Sequence, residues 1–271
     1  NAMPAKRRFP AEWEPQSMGQ FTFPHADSDW AELLEEVTPC FIACVEAVSR
    51  FQPVLVVVDD RNRVEALLQH LPKDRLTIVS CPSNDTWARD HGGITVFEED
   101  QPLILDFMFN GWGLKFPANK DNLITRSLHL WGFFGDTKRE QANMVLEGGA
   151  LETDGEGTLL STTECLMSLN RNPHLSFEET EAELSRFLGV DRFLWLDNGY
   201  LAGDDTDSHI DTLARFCDPQ TILYVQCPDT EDEHYAELKL MEQELQSFRT
   251  RAGEPYHLVP LPWPTACYAE D

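Results

Sequence analysis

Positive charge is scarce in this sequence: 21 Lys and Arg stand against 47 Asp and Glu, for a net charge of −26. That balance excludes nucleic acid as a partner, because phosphates need a basic surface. An anionic membrane surface is excluded on the same ground. Long apolar runs are also missing, and no stretch approaches the roughly 20 residues that cross a bilayer. The basic trio Lys6-Arg7-Arg8 is followed by Phe9-Pro10-Ala11-Glu12-Trp13 rather than an apolar core, so no secretory leader is expected. Asn1-Ala2 ahead of Met3 reads as an expression-tag remnant, and a cytoplasmic location is expected.

Paired cysteine motifs are absent too. The seven cysteines (Cys40, Cys44, Cys81, Cys165, Cys217, Cys227 and Cys267) form no C-x-x-C and are odd in number. This suits buried thiols in a reducing compartment better than a disulfide framework. Cys40 and Cys44, four apart on an expected helix, read as core residues. No G-x-x-x-x-G-K-S/T and no helix-opening G-x-G-x-x-G occurs, so nucleoside triphosphates and dinucleotides have no motif to hold them. Zinc has no Cys/His spacing. Motifs for these groups are therefore absent, and only a carboxylate site for a hard cation stays open.

What is present is enough apolar sequence, 42% of 271 residues, to bury a substantial core. No low-complexity linker divides it, so residues 3–271 are read as a single domain. The pattern is α/β. Residues 29–51 carry Leu33, Leu34, Val37, Phe41, Val45 and Val48 on one helical stripe. Pro53 ends that helix, and Val54–Val58 follows as a buried-strand run. Further helices are expected at 61–70, 119–134, 178–189 and 232–252, a recurrence of roughly 60 residues. Strands are expected at 75–80, 142–146, 192–196 and 256–261, with others at 94–98, 103–108, 158–161, 209–216 and 221–226. The recurrence suggests a stacked or radial ββαβ module; an evenly spaced ordinary α/β sheet is the alternative.

Four clusters at the ends of expected strands could carry chemistry, since such loops commonly do. The first is N-D-T-W-A-R-D at 84–90, where Arg89 and Asp90 could also be a turn-fixing ion pair. The second is F-N-G-W-G at 109–113, either a tight loop around a core tryptophan or an aromatic wall for a cation. The third is L-E-G-G-A at 146–150, with Glu147 before glycines that permit close approach. The fourth is G-D-D-T-D-S-H-I-D at 203–211. Read as extended chain, it puts Asp205, Asp207, His209 and Asp211 on one face.

Two chemistries fit. Several carboxylate oxygens can hold a divalent cation, although the calcium-loop spacing is not met. Carboxylates can instead grip a planar guanidinium bidentately while a histidine moves the proton. A strongly acidic protein would attract such a cationic substrate; solubility alone also accounts for the charge.

In order and spacing, the clusters resemble the agmatine deiminase and bacterial peptidyl-arginine deiminase family of the guanidino-modifying (pentein) superfamily. E-W-E-P at 12–15, T-T-E-C-L at 162–166 and N-R-N-P at 170–173 add to the resemblance, which runs from about Pro4 to the last residue. It implies a pentein α/β propeller: five ββαβ modules around a central site. It also implies that Asp90 and Asp211 hold the guanidinium, that His209 is the general acid/base, and that Glu147 orients it. Asp205 would meet the substrate's distal amine, and Trp87 and Trp112 would wall the pocket. The implied reaction is hydrolysis of agmatine to N-carbamoylputrescine and ammonia through a cysteine thiouronium, a step in putrescine and polyamine metabolism in which no metal or organic cofactor takes part. Another guanidine, such as peptidyl-arginine, or a non-catalytic guanidinium- or metal-binding module, is the alternative. The family's nucleophile lies in a G-G-x-x-H-C context that is not in these residues, so the last module and its cysteine are expected outside them and this chain alone is expected to be inactive. Ser208 stands where glycine is usual, Thr212 where asparagine is usual, and Phe21 and Phe23 where tryptophans are usual. The partner implied is a small cationic guanidino compound, and a homo-oligomer is left open.

Overall fold

The computed structural model describes residues 3–268; Asn1 and Ala2, read above as a tag remnant, lie outside them. The chain is α/β with several small sheets, and it divides into two compact units.

One unit holds residues 14–94 and 102–148. Its three-stranded sheet is parallel throughout, in the order Gly19–Thr22, Val54–Val58, Leu76–Ser80. The central strand reads V-L-V-V-V and is buried at every position, as a strand covered on both faces must be. Its side chains alternate between two cores. Val54, Val56 and Val58 pack with Phe23, Val45, Val64 and Leu68. Leu55 and Val57 pack with Val79, Cys81, Ile124 and Leu128. The helix Arg61–Leu68 starts where the Asp60 carboxylate accepts from the Arg63 amide at 3.2 Å, satisfying one of the otherwise unpaired first-turn donors. In the same unit, Leu103 to Met108 run parallel to the strand Lys138–Val145.

The other unit holds residues 3–13, 95–101 and 149–268 of the described chain. It contains two ββαβ modules of the same connectivity. Glu152–Thr153 is antiparallel to Thr158–Thr162, the helix Phe177–Leu188 follows, and Arg192–Leu196 returns parallel to Thr158–Thr162. Then Ala214–Asp218 is antiparallel to Thr221–Val225, the helix Tyr235–Ser247 follows, and His257–Leu261 returns parallel. Leu160, Leu194, Leu196, Ile210, Ile222, Leu238, Met241 and Leu245 form the shared core. A Ser176–Glu179 capping box opens the first helix, and Gly189 at φ +71 closes it. A Cβ on Gly189 would stand 2.1 Å from the Arg7 carbonyl oxygen, so glycine is required there for space as well as conformation.

Each of the four recurrent helices expected from the sequence connects a parallel strand pair. Other expectations need correction. Cys40 and Cys44 are exposed, because Val45 and Ser49 take the buried face of Leu34–Ser49 and both cysteines fall on its flank. The expected helix at 119–134 is a 3-10 turn Asp121–Leu123 leading into Ile124–Leu130. The expected strand at 209–216 is a 3-10 turn Ile210–Thr212 followed by Ala214–Asp218. Among the described residues no helix is long and apolar enough to cross a membrane.

Candidate active site

In the first unit the loop after Leu76–Ser80 is fixed before it delivers Asp90. The Asp121 carboxylate accepts from the Asn84 amide at 2.7 Å and from the Asp85 amide at 3.2 Å. Reciprocally, the Asn84 side-chain oxygen accepts from the Lys120 and Asp121 amides at 2.8 and 3.0 Å. Burial pushes the Asp121 carboxyl up to about 6 despite these donors. The Trp30 indole donates to Thr86 Oγ1 at 2.9 Å. Trp87, half-exposed, lies with its ring 6.0 Å from that of Trp30. The short helix Ala88–His91 follows, carrying Asp90 and His91, both buried. Burial lowers His91 to about 4, so its ring is neutral at neutral pH.

Trp112 meets Asp90 through an unusual backbone. Residues 111–114 form a left-handed turn, with φ of +75, +59, +82 and +69. Gly111 and Gly113 tolerate this, whereas Trp112 and Leu114 each carry a steric penalty of about 1–2 kcal/mol. The conformation is held from several sides. Asn110 accepts from the Gly113 amide at 3.0 Å, Lys115 Nζ donates to the Trp112 carbonyl at 3.0 Å, and the indole packs edge-on to Phe109 and Phe116. The indole N–H then donates to Asp90 Oδ2 at 2.9 Å. Trp112, expected above as a pocket wall, therefore also fixes an aspartate.

Glu147 is fully buried just after Lys138–Val145. A Cβ on Gly148 would lie 2.1 Å from the Arg89 carbonyl oxygen. The glutamate's turn is therefore packed against the segment that carries Asp90, which is why a glycine follows Glu147.

In the second unit, residues 203–208 are not extended. Asp207 and Ser208 take φ of +63 and +62, so Asp205, Asp207, His209 and Asp211 do not share one face as an extended chain would place them. Asp204, which carried no assigned role above, shapes the loop by accepting from the Thr206 amide at 2.9 Å and the Ser208 amide at 2.8 Å. Asp207 is taken by Arg171, whose buried guanidinium donates at 2.7 Å and also reaches the Thr206 carbonyl at 3.0 Å. That pairing weakens the divalent-metal reading of the array. Asp205 is exposed. His209 is 1% exposed, with Nδ1 4.0 Å from Asp211 Oδ1. Asp211 also feels Arg215, which donates to the buried Glu152 at 2.6 Å and to Glu12.

Sequence reasoning gave no role to Cys165, yet its Sγ lies within 4.8 Å of a His209 ring nitrogen, and it is fully buried. The available signal was its place in T-T-E-C-L, directly beyond the strand Thr158–Thr162. Arg171 in N-R-N-P was likewise visible only as part of a motif.

Residues 8–271 match the model of the Porphyromonas-type peptidyl-arginine deiminase family. The chain belongs to that family. It is 32% identical over 272 residues to the agmatine deiminase of Pseudomonas aeruginosa, covering 97% of this chain and 73% of that protein. A Porphyromonas gingivalis structure provisionally described as an arginine deiminase superposes with a TM-score of 0.92 at 52% identity, covering 97% of this chain and 78% of that one. A cysteine-to-serine variant of C. jejuni agmatine deiminase with substrate bound gives a TM-score of 0.89 at 37% identity, covering 98% and 76%. The family's members are hydrolases, and the chain spans about three quarters of the length of these relatives.

Proposed function

We propose that this protein deiminates agmatine, giving N-carbamoylputrescine and ammonia, and that residues 1–271 supply its guanidinium-gripping and proton-transfer groups. Relatives named agmatine deiminase support guanidino-group deimination, which is hydrolysis of a carbon–nitrogen bond. The observation that carries the residue assignment is the buried imidazole of His209 with a carboxylate, Asp211, 4.0 Å from its Nδ1.

In this reading Asp90 and Asp211 hold the guanidinium nitrogens, each carboxylate accepting forked N–H donors. Trp112 keeps Asp90 oriented by donating to one of its oxygens. A cysteine thiolate adds to the guanidinium carbon. The carbon–nitrogen bond breaks as protonated His209 gives its proton to one amino nitrogen of the adduct, which leaves as ammonia, and a thiouronium remains. His209, now neutral, takes a proton from water. The hydroxide adds to the same carbon, and as the thiolate leaves, the adduct's hydroxyl proton passes to solvent to give the neutral carbamoyl product. Glu147 holds the imidazole in the protonated form that the first step needs. Trp87 lies along the substrate's aliphatic part. Asp205 is assigned to the distal amine, as the family resemblance implies, on a loop shaped by Asp204 and Asp207.

The nucleophile is assigned, with a further ββαβ module of a five-module propeller, to sequence beyond residue 271, the whole forming one catalytic domain. Cys165, near His209, is the competing assignment. Ammonia release by residues 1–271 that disappears in Cys165→Ser would move the nucleophile there. Agmatine, arginine and peptidyl-arginine should be compared as substrates of the full-length protein, with Asp205→Asn alongside. A kcat/KM for agmatine no higher than for the other two, or unchanged turnover in Glu147→Gln and His209→Ala, would overturn the proposal.

A further inference from the structure

Ser208 has a feature that turn formation alone does not require. A left-handed backbone at φ +62 is met most easily by glycine. Here a side-chain-bearing residue occupies it, and its hydroxyl is used. Ser208 Oγ donates to Glu164 Oε2 at 2.8 Å, with the Gly199 carbonyl 3.1 Å away as a second acceptor. One hydroxyl hydrogen serves one acceptor well, and the carboxylate makes the stronger, charge-assisted bond. The other polar groups of Ser208 are also held. Its amide donates to Asp204 Oδ2 at 2.8 Å, and its carbonyl accepts from Thr162 Oγ1 at 2.8 Å.

Thr162 and Glu164 lie at one corner, the end of the fully buried strand Thr158–Thr162 and the first turn of Thr163–Leu166. That strand pairs in parallel with Arg192–Leu196 along its whole length, which anchors Thr162, while Glu164, itself exposed, stands two residues further on in the helix that follows. The next residue, Cys165, is the one whose Sγ lies within 4.8 Å of the imidazole. The corner thus grips the residue before His209 and packs a side chain beside its ring. The His209 amide, donating to Thr206 Oγ1 at 3.2 Å, completes the attachment.

We propose that Glu164, Thr162 and Ser208 form a positioning clamp that fixes His209 for proton transfer. These are positioning residues, since they act through His209. The inference rests on the reading of His209 as the acid/base, so the test has two independent readouts. In the full-length protein, Ser208→Gly removes the hydroxyl while relieving the left-handed backbone. It should fold with a melting temperature close to that of the wild type, the lost hydrogen bond offsetting the relieved backbone, yet lose up to about tenfold in kcat with KM little changed, since the attachments through the residue-208 amide and carbonyl remain. Glu164→Ala should match it. Glu164→Gln, which retains an acceptor oxygen, should recover most of the activity. In residues 1–271, NMR titration of the His209 ring needs no turnover. Its midpoint or chemical shifts should move in Ser208→Gly and Glu164→Ala and return towards wild type in Glu164→Gln. An unmoved His209 titration in Ser208→Gly overturns the clamp whether or not the protein proves to be a deiminase. A moved titration with wild-type kcat limits the clamp to structure and overturns its role in proton transfer. If the wild type releases no ammonia from any guanidine, the functional reading fails, while the titration still decides whether the clamp orients the ring.

Discussion

Replacing Trp112 by phenylalanine keeps an aromatic ring against Phe109 and Phe116 and removes the indole N–H that donates to Asp90 Oδ2 at 2.9 Å. Both residues are buried, Trp112 at 7% exposure and Asp90 at 8%, so water replaces the lost donor poorly. A hydrogen bond to a charged group contributes about 1.5–3 kcal/mol, and the smaller ring forfeits roughly 1 kcal/mol of apolar burial. The single variant mixes those effects; a double-mutant cycle with Asp90→Ala separates them. Urea unfolding of wild type, Trp112→Phe, Asp90→Ala and the double variant should give a coupling of about 1.5 kcal/mol, well above the ~0.3–0.5 kcal/mol scatter of independent sites. If the coupling falls within that scatter, the indole does not hold the carboxylate, and the rationale for the left-handed turn at 111–114 is wrong. Agmatine affinity should fall in Trp112→Phe as well, because Asp90 then has a wider range of orientations to lose on binding.

The same turn predicts that Leu114→Gly, at φ +69 and 70% exposed, stabilises the protein by up to about 1 kcal/mol, the relieved steric penalty exceeding the added chain entropy; a lower melting temperature would contradict this. Gly148→Ala should destabilise by about 3 kcal/mol or more, because its Cβ overlaps the backbone oxygen of Arg89 at 2.1 Å. Gly132→Ala, with nothing within 4 Å but a φ of +85, is the control and should lose only about 1 kcal/mol. His91 gives a pH signature of definite sign. Its folded value near 4 lies below the ordinary 6.5, so the unfolded chain takes up a proton first and stability drains away as pH falls from 6.5 towards 4. Between pH 7 and pH 4 the wild type should lose about 3 kcal/mol relative to His91→Phe. The comparison must be made against that variant, because the buried Asp121, raised to about 6, changes stability in the opposite direction as it takes up a proton over nearly the same range. A wild-type-minus-variant difference that is flat with pH would refute the neutral buried ring.

Local physics made much of this protein legible. The run Val54–Val58 and the helices Arg61–Leu68 and Phe177–Leu188 were readable because apolar periodicity, caps and a terminal glycine lie within a few residues of the elements they specify. The position of Glu147 just beyond Lys138–Val145 followed from the same punctuation, whereas Asp90 sits on the short helix Ala88–His91 within the loop after Leu76–Ser80. Other features were decided by residues far apart in the chain. Asp207 reads as one member of an acidic array until Arg171, 36 residues earlier, takes it. Trp112 reads only as a wall, and its hold on Asp90, 22 residues away, comes from the left-handed backbone that turns the indole N–H onto that carboxylate. Cys40 and Cys44 read as core until packing selects the other face of their helix. Backbone conformation in a loop is a compromise between a steric penalty at each residue and contacts from elsewhere that repay it. The first can be read from the sequence, but the second exists only once distant segments have met.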